Sequence, residues 1–167
     1  TTDGVYRIDW ESIAASVKRQ KRHGELVCGG LPHGHTFLRL QDIRGYENLI
    51  FDMADGEPRL FELIGMIEEF NYQLVLKWME LGPDMMSYPE DLGMQVGPML
   101  SPERFRRYIK PVYERLMKPA RAGGSIVHMH SDGDIRSLVQ DLIDDGVDVM
   151  NLQDLVNGID WIAERAG

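Results

Sequence analysis

The run Ser125-Ile126-Val127-His128-Met129-His130, followed by Ser131-Asp132-Gly133-Asp134 and then by the stretch Ile135 to Asp144, decides how this chain folds. A six-residue run between turn signals, apolar at Ile126, Val127 and Met129, reads as a strand, and the segment after it reads as a helix that Gly146 ends. The same order recurs at once, with Val147 to Leu152 as a strand and Leu155 to Arg165 as a helix. Strands that alternate with helices of this length predict a parallel sheet, with right-handed crossovers that put the helices outside.

The pattern extends upstream. Asp9 is placed to cap a helix through Arg22, in which Trp10, Ile13, Ala14 and Val17 recur at helical spacing, with Gly24 as its stop. Glu25 to Gly30 reads as a short strand, and the loop Leu31-Pro32-His33-Gly34-His35 leads into helical turns over Phe37 to Arg44 and Glu47 to Asp55. Pro58 suits the first turn of the longest helix, whose apolar face runs from Leu60 to Trp78 and which ends at Gly82. Pro83 to Ser87 is the next strand. Ser101-Pro102-Glu103 starts a helix that Pro111 is expected to break or kink before it resumes to about Ala122. Four strand-helix units in chain order suit two architectures, an open doubly wound sheet or a closed barrel. No G-x-G-x-x-G follows any strand, which counts mildly against a dinucleotide fold.

With 27 acidic and 18 basic residues, a formal charge of -9 and no Lys/Arg stripe, the chain is a poor fit to a nucleic acid or an anionic membrane. A small-molecule substrate suits it better. The lone Cys28 excludes an internal disulfide, and no apolar run has membrane-spanning length, so a cytoplasmic setting is expected. The 167 residues, 43% of them hydrophobic, are enough for one domain with a real core. A chain that opens on Thr1-Thr2-Asp3-Gly4 reads as the continuation of something longer. The expectation is therefore a single partial barrel over 1–167, with earlier and final strands outside it. Its open sheet edges would invite self-association or a homodimer.

In either parallel architecture the ligand site lies at the carboxyl ends of the strands. His33 and His35 follow the first strand, Glu90 and Asp91 the second, His130, Asp132 and Asp134 the third, and Asn151, Gln153 and Asp154 the fourth. His128 and His130 share one face of an extended strand, and Asp132 continues that face if the strand persists. These three are the candidate metal ligands, because neutral imidazoles and a carboxylate together suit zinc or another divalent ion. Glu90 and Asp91 are either a general acid-base pair or a solvated turn. His33, His35, Asn151 and Gln153 either hydrogen-bond a substrate or satisfy backbone at the strand-to-helix turns. Asp134 reads as a cap for the helix that follows.

Longer motifs say more. The segment Glu90-Asp91-Leu92-Gly93-Met94-Gln95-Val96-Gly97-Pro98-Met99-Leu100-Ser101-Pro102-Glu103-Arg104-Phe105, continuing to Tyr108-Ile109-Lys110-Pro111, resembles the acidic-loop, S-P-E and kinked-helix segment of uroporphyrinogen decarboxylase-like proteins. His130-Ser131-Asp132-Gly133-Asp134-Ile135 resembles the H-x-C-G-N segment of corrinoid-thiol methyltransferases in that superfamily, and Gly146-Val147-Asp148-Val149-Met150-Asn151 resembles the strand that follows it. Tyr46-Glu47-Asn48-Leu49 is similar to an upstream turn of the same proteins.

The resemblance spans about Asp9 to Gly167 and implies an incomplete (β/α)8 TIM barrel. It implies one of two chemistries. One is zinc-assisted methyl transfer between a corrinoid, carried by a corrinoid protein, and a thiol. The other is decarboxylation of uroporphyrinogen acetates, a lyase step of porphyrin biosynthesis that needs neither metal nor organic cofactor. In the methyltransferases, His130 corresponds to a zinc ligand and Asp132 stands where they have a ligating cysteine; a carboxylate is the harder donor. The decarboxylase's arginine-rich loop and catalytic aspartate belong to the family's N-terminal region, outside this match. Metal-assisted methyl transfer is the first expectation and uroporphyrinogen III decarboxylation the alternative. A non-catalytic barrel fragment that binds a partner and a metal-dependent hydrolase built on H-x-H complete the set.

Overall fold

The computed structural model describes residues 8–166, so Thr1-Thr2-Asp3-Gly4 lies outside the described residues. Helix α1 spans Trp10–His23, and Asp9 caps it by accepting a 3.0 Å bond from the Ser12 amide. Strand β1 (Cys28–Gly30) is followed by α2 (Phe37–Arg44), α3 (Tyr46–Asp55) and the 24-residue α4 (Pro58–Leu81). Then come β2 (Met85–Asp91), a small hairpin of β3 (Gly93–Met94) and β4 (Gly97–Pro98), α5 (Pro102–Arg104), a π-helical turn over Phe105–Ile109, and α6 (Lys110–Ala122). The chain continues through β5 (Ile126–Asp132), α7 (Val139–Asp144), β6 (Val149–Leu152), α8 (Asp154–Asn157) and α9 (Ile159–Ala166). Among the described residues no helix is long and apolar enough to cross a membrane.

The strands form one parallel sheet in the order β1-β2-β5-β6, which is chain order without a switch point. Register aligns Cys28 with Met85 and Ile126, and Ser87 with His128 and Val149. One sheet face is covered. Met86, Tyr88 and Glu90 of β2 alternate with more open neighbours, as do Val127, Met129 and Ser131 of β5, and all six are buried. They lie beneath the helix layer, in which α4 packs on α6 and the Tyr88 hydroxyl donates to the Leu116 carbonyl of α6 at 3.0 Å. The other face leaves Ile126 42% and Val149 44% exposed. The architecture is thus an arc of four βα units, an incomplete (β/α)8 barrel, rather than a doubly wound sheet with helices on both faces.

The lower ends of the strands repeat one device. Asp84, just before β2, accepts from the Val27 amide, and Asp148, just before β6, accepts from the Val127 amide, both at 2.8 Å. Each aspartate returns its own N–H to the same valine's carbonyl at 2.9 Å.

Several boundaries differ from expectation. The first strand is three residues rather than six, and the second continues through Pro89 to Asp91. A proline removes a ladder donor, which argues against a central strand. Here Ser87 and Pro89 direct their carbonyls at Leu31 and Gly34, in the loop that follows β1, so the missing N–H falls beside that loop and not within the β2–β5 ladder. Pro111 does not break its helix. The π-helical turn ahead of it, closed by the Lys110 amide on the Phe105 carbonyl, relieves the crowding that the ring would impose on a regular turn. The helix expected from Ile135 starts only at Val139, after a turn in which Leu138 donates to Ile135 at 2.7 Å. The helix expected over Leu155 to Arg165 is divided by Gly158, whose φ of 87° no helix accommodates.

Candidate metal centre

β2 and β5 deliver side chains to the open face at matched heights: Pro89 beside His130 and Asp91 beside Asp132. β6 adds Asn151 beside His130. The loop after β1 brings His33 over the same point. His33 Nε2 stands 3.3 Å from Asp91 Oδ1, which in turn lies 3.9 Å from His130 Nε2. These three side chains can present one donor atom each, all within 4.8 Å of one another. Asp132, more exposed, holds Oδ1 3.7 Å from His130 Nε2, while its amide donates to Asp91 Oδ1 at 3.2 Å.

The other nitrogen of His130 is engaged. Nδ1 lies 2.5 Å from Asn151 Oδ1 and 3.1 Å from the Asn151 carbonyl oxygen. Both are acceptors, so Nδ1 carries a hydrogen, and in the neutral ring the Nε2 lone pair faces Asp91.

Of the expected ligand set of His128, His130 and Asp132, the structure brings His130 and Asp132 together. His128 faces the same side as His130 but sits one layer lower, where its Nδ1 pairs with Ser87 Oγ at 2.9 Å; partial burial, and then the neighbouring His130, lower its pKa. His33 and Asp91 stand beside His130 as well. The sequence carried a signal for that grouping, since both residues end neighbouring βα units at the same end of the sheet.

Of the remaining candidates, Glu90 and His35 lie elsewhere. Glu90 was expected to face the cleft with His130, but it points to the helix side because its strand extends to Asp91 and adjacent residues alternate. Its buried carboxylate accepts from the amides of Thr36, Phe37 and Leu38 at 2.5, 3.1 and 3.3 Å, at the start of α2. Burial pushes its pKa up to about 7, against the pull of those three amides. His35 is buried beneath the same loop, between Tyr88 and Tyr113, with Nδ1 on the Thr36 hydroxyl at 2.7 Å. Desolvation, and then the nearby His33, bring its pKa down to about 3, so this imidazole is neutral.

Gln153 serves backbone, its Oε1 accepting from the Gly133 amide at 2.9 Å. Asp134 accepts from the Arg136 amide at 3.2 Å and pairs with the Arg136 guanidinium at 2.7 Å. Sequence reasoning missed Asn157. From α8 its buried side chain accepts from the Ile135 amide at 3.1 Å and donates to the Gly133 carbonyl at 2.9 Å, which ties down the loop behind Asp132.

The family model described as uroporphyrinogen decarboxylase (URO-D) matches residues 38–166, a span that includes Asp91, His130, Asp132 and Asn151 and begins after His33. Among solved structures the chain is similar to a methyltransferase from Methanosarcina mazei, with a TM-score of 0.63 at 17% sequence identity. That likeness covers 83% of this chain and 40% of the methyltransferase, and at such identity it concerns the fold. No curated protein matches by sequence.

Proposed function

This chain belongs to the uroporphyrinogen decarboxylase family, and from that premise we propose that it is the metal-holding part of a barrel enzyme for methyl, or one-carbon, transfer. The ion would be zinc or a similar divalent metal, held by His33, Asp91 and His130. The observation that carries the reading is the pairing of His130 Nδ1 with Asn151, which leaves Nε2 free to ligate. Outer hydrogen bonds of this kind fix the tautomer and the ring plane of metal-binding histidines.

The donor chemistry fits. Two imidazoles and a carboxylate are a common protein set for zinc with a further position open, and two donors on one tetrahedral zinc stand about 3.3 Å apart. His33 Nε2 and Asp91 Oδ1 are separated by 3.3 Å, and Asp91 Oδ1 and His130 Nε2 by 3.9 Å.

When bound, the ion would supply Lewis acidity to an acceptor such as a thiol. The chain's own groups would do the rest. Asn151 holds the His130 ring in place, His33 covers the approach, and the exposed Asp132 beside His130 can take the acceptor's proton. The methyl donor would be a corrinoid or a corrinoid protein. The free, exposed Cys28 suits a reducing cytoplasm.

The family's name favours a second reading, decarboxylation of uroporphyrinogen. A polycarboxylate substrate calls for cations, however, and the strand ends and the loops after them carry carboxylates, with Arg136 already paired to Asp134. The chain spans 40% of the methyltransferase it resembles in fold.

Cobalt(II) titration followed by visible absorption tests the site. The wild-type chain is expected to bind one ion, His130→Ala and Asp91→Ala to lose the absorption band, and His23→Ala on α1 to keep it. Equal binding by His130→Ala and the wild type would remove the ligand assignment.

A further inference from the structure

We propose that Glu90 is a positioning residue for the metal site, holding in register the loop that carries His33. The inference rests on the reading of His33, Asp91 and His130 as ligands.

Its basis is geometric. The His33 side chain is 52% exposed; among the described residues it meets Asp91 and, at a ring-centroid distance of 6.3 Å, His130, both of them in the site itself, so its location follows from the backbone of residues 31–36. That backbone hangs from the end of β2. Leu31 donates to the Ser87 carbonyl and Gly34 to the Pro89 carbonyl, both at 3.0 Å. Glu90 then takes the amides of Thr36, Phe37 and Leu38.

Thr36 occupies the N-cap position of α2 but makes no side-chain cap bond, because its hydroxyl is turned to His35 Nδ1. The first turn of a helix leaves amides without partners. Glu90 supplies the acceptors that Thr36 does not, from a strand 54 residues further along the chain. Asn71 of α4 braces the same loop by donating to the His35 carbonyl at 2.7 Å. Two successive residues of β2 therefore serve one site from opposite faces of the sheet: Asp91 as a ligand, and Glu90 as the anchor of the loop that brings the ligand opposite.

Cobalt(II) affinity is compared in the full chain for the wild type, Glu90→Ala, Glu90→Gln, His33→Ala and the double variant Glu90→Ala/His33→Ala. Removing a group that orients a metal ligand weakens binding by about 10- to 100-fold. Glu90→Ala should fall in that range, and Glu90→Gln, which keeps one oxygen for the amides but turns an NH2 on the rest, should recover part of the loss. The double variant should bind no worse than His33→Ala alone, because Glu90 acts through His33.

Wild-type affinity in Glu90→Ala overturns the proposal, and so does a double variant weaker than His33→Ala by the full factor. Absence of cobalt binding by the wild type instead removes the metal reading itself, and this inference with it. Should Glu90→Ala fail to fold, hydrogen exchange on intact Glu90 decides. Zinc should slow exchange of the Phe37 and Leu38 amides in the wild type and leave it unchanged in His33→Ala, since linkage between the ion and the anchor is reciprocal. No slowing in zinc-loaded wild type overturns the proposal.

Discussion

Asp145 sits against α6 with one carboxylate oxygen on the Lys110 ammonium and the other, Oδ2, buried without a hydrogen-bond partner among the described residues. Burial lifts its pKa to about 6 even though Lys110 pulls the other way. A carboxyl whose folded pKa exceeds its unfolded value binds its proton more tightly when folded. The stability gained is complete below the ordinary carboxyl range and is lost as pH rises through about 6. Asp145→Asn, neutral throughout, should therefore gain stability relative to the wild type between pH 4 and pH 7, by roughly 1 kcal/mol. Urea midpoints at the two pH values measure this, and parallel shifts in both proteins would contradict it. Glu90 and Asp91 show how far a single residue can be read from sequence. Both were visible as acids at a strand end, yet which of them meets His130 depends on where the strand stops, and Pro89 made the strand look as if it stopped too early. His33 was legible as a residue of the correct loop. Its partnership with Asp91 required the register between strands, which no local pattern carries.

Where the β3–β4 hairpin crosses the loop after β5, two elements meet backbone to backbone. Met94 and Asp134 form an antiparallel bridge there, and a Cβ placed on Gly133 would lie 2.1 Å from the Gly93 carbonyl carbon. Gly133 also has a φ of 79°. Gly133→Ala should cost several kcal/mol, because the clash adds to the penalty of a left-handed non-glycine residue, about 1–2 kcal/mol. Gly124→Ala isolates the second term: its φ is 74° and a Cβ there meets nothing within 4 Å. Thermal melting of the two variants separates the effects, and equal losses would mean that the crossing is looser than described. At this scale the long amphipathic helices were legible because burial of one face repeats every few residues; α1 and α4 fall within a residue of expectation. Short elements were not. The hairpin, the π-helical turn and the late start of α7 are set by neighbouring elements rather than by their own periodicity.

The arc as a whole was legible from the order of its strands and helices, and the doubly wound alternative was excluded only when one sheet face proved to carry the helices. Composition alone does not decide between those arrangements, since both bury a parallel sheet with similar residues. The parallel register has a further consequence, for the route by which the chain folds. Val127 and Asp148, which join β5 to β6, are 21 residues apart; Ser87 and His128 of β2 and β5 are 41 apart; Val27 and Asp84, which join β1 to β2, are 57 apart. Closing a longer loop costs more chain entropy before any contact is gained. The β5–β6 unit should therefore nucleate the sheet and β1 should dock late. Val147→Ala should then slow refolding, while Val27→Ala, buried at the far edge, should mainly speed unfolding, as stopped-flow denaturant kinetics would reveal. The reverse assignment would place nucleation at the β1 edge. Late docking of β1 means that the loop bearing His33 takes its place last, so a folding chain would acquire Asp91 and His130 as neighbours before His33 joins them.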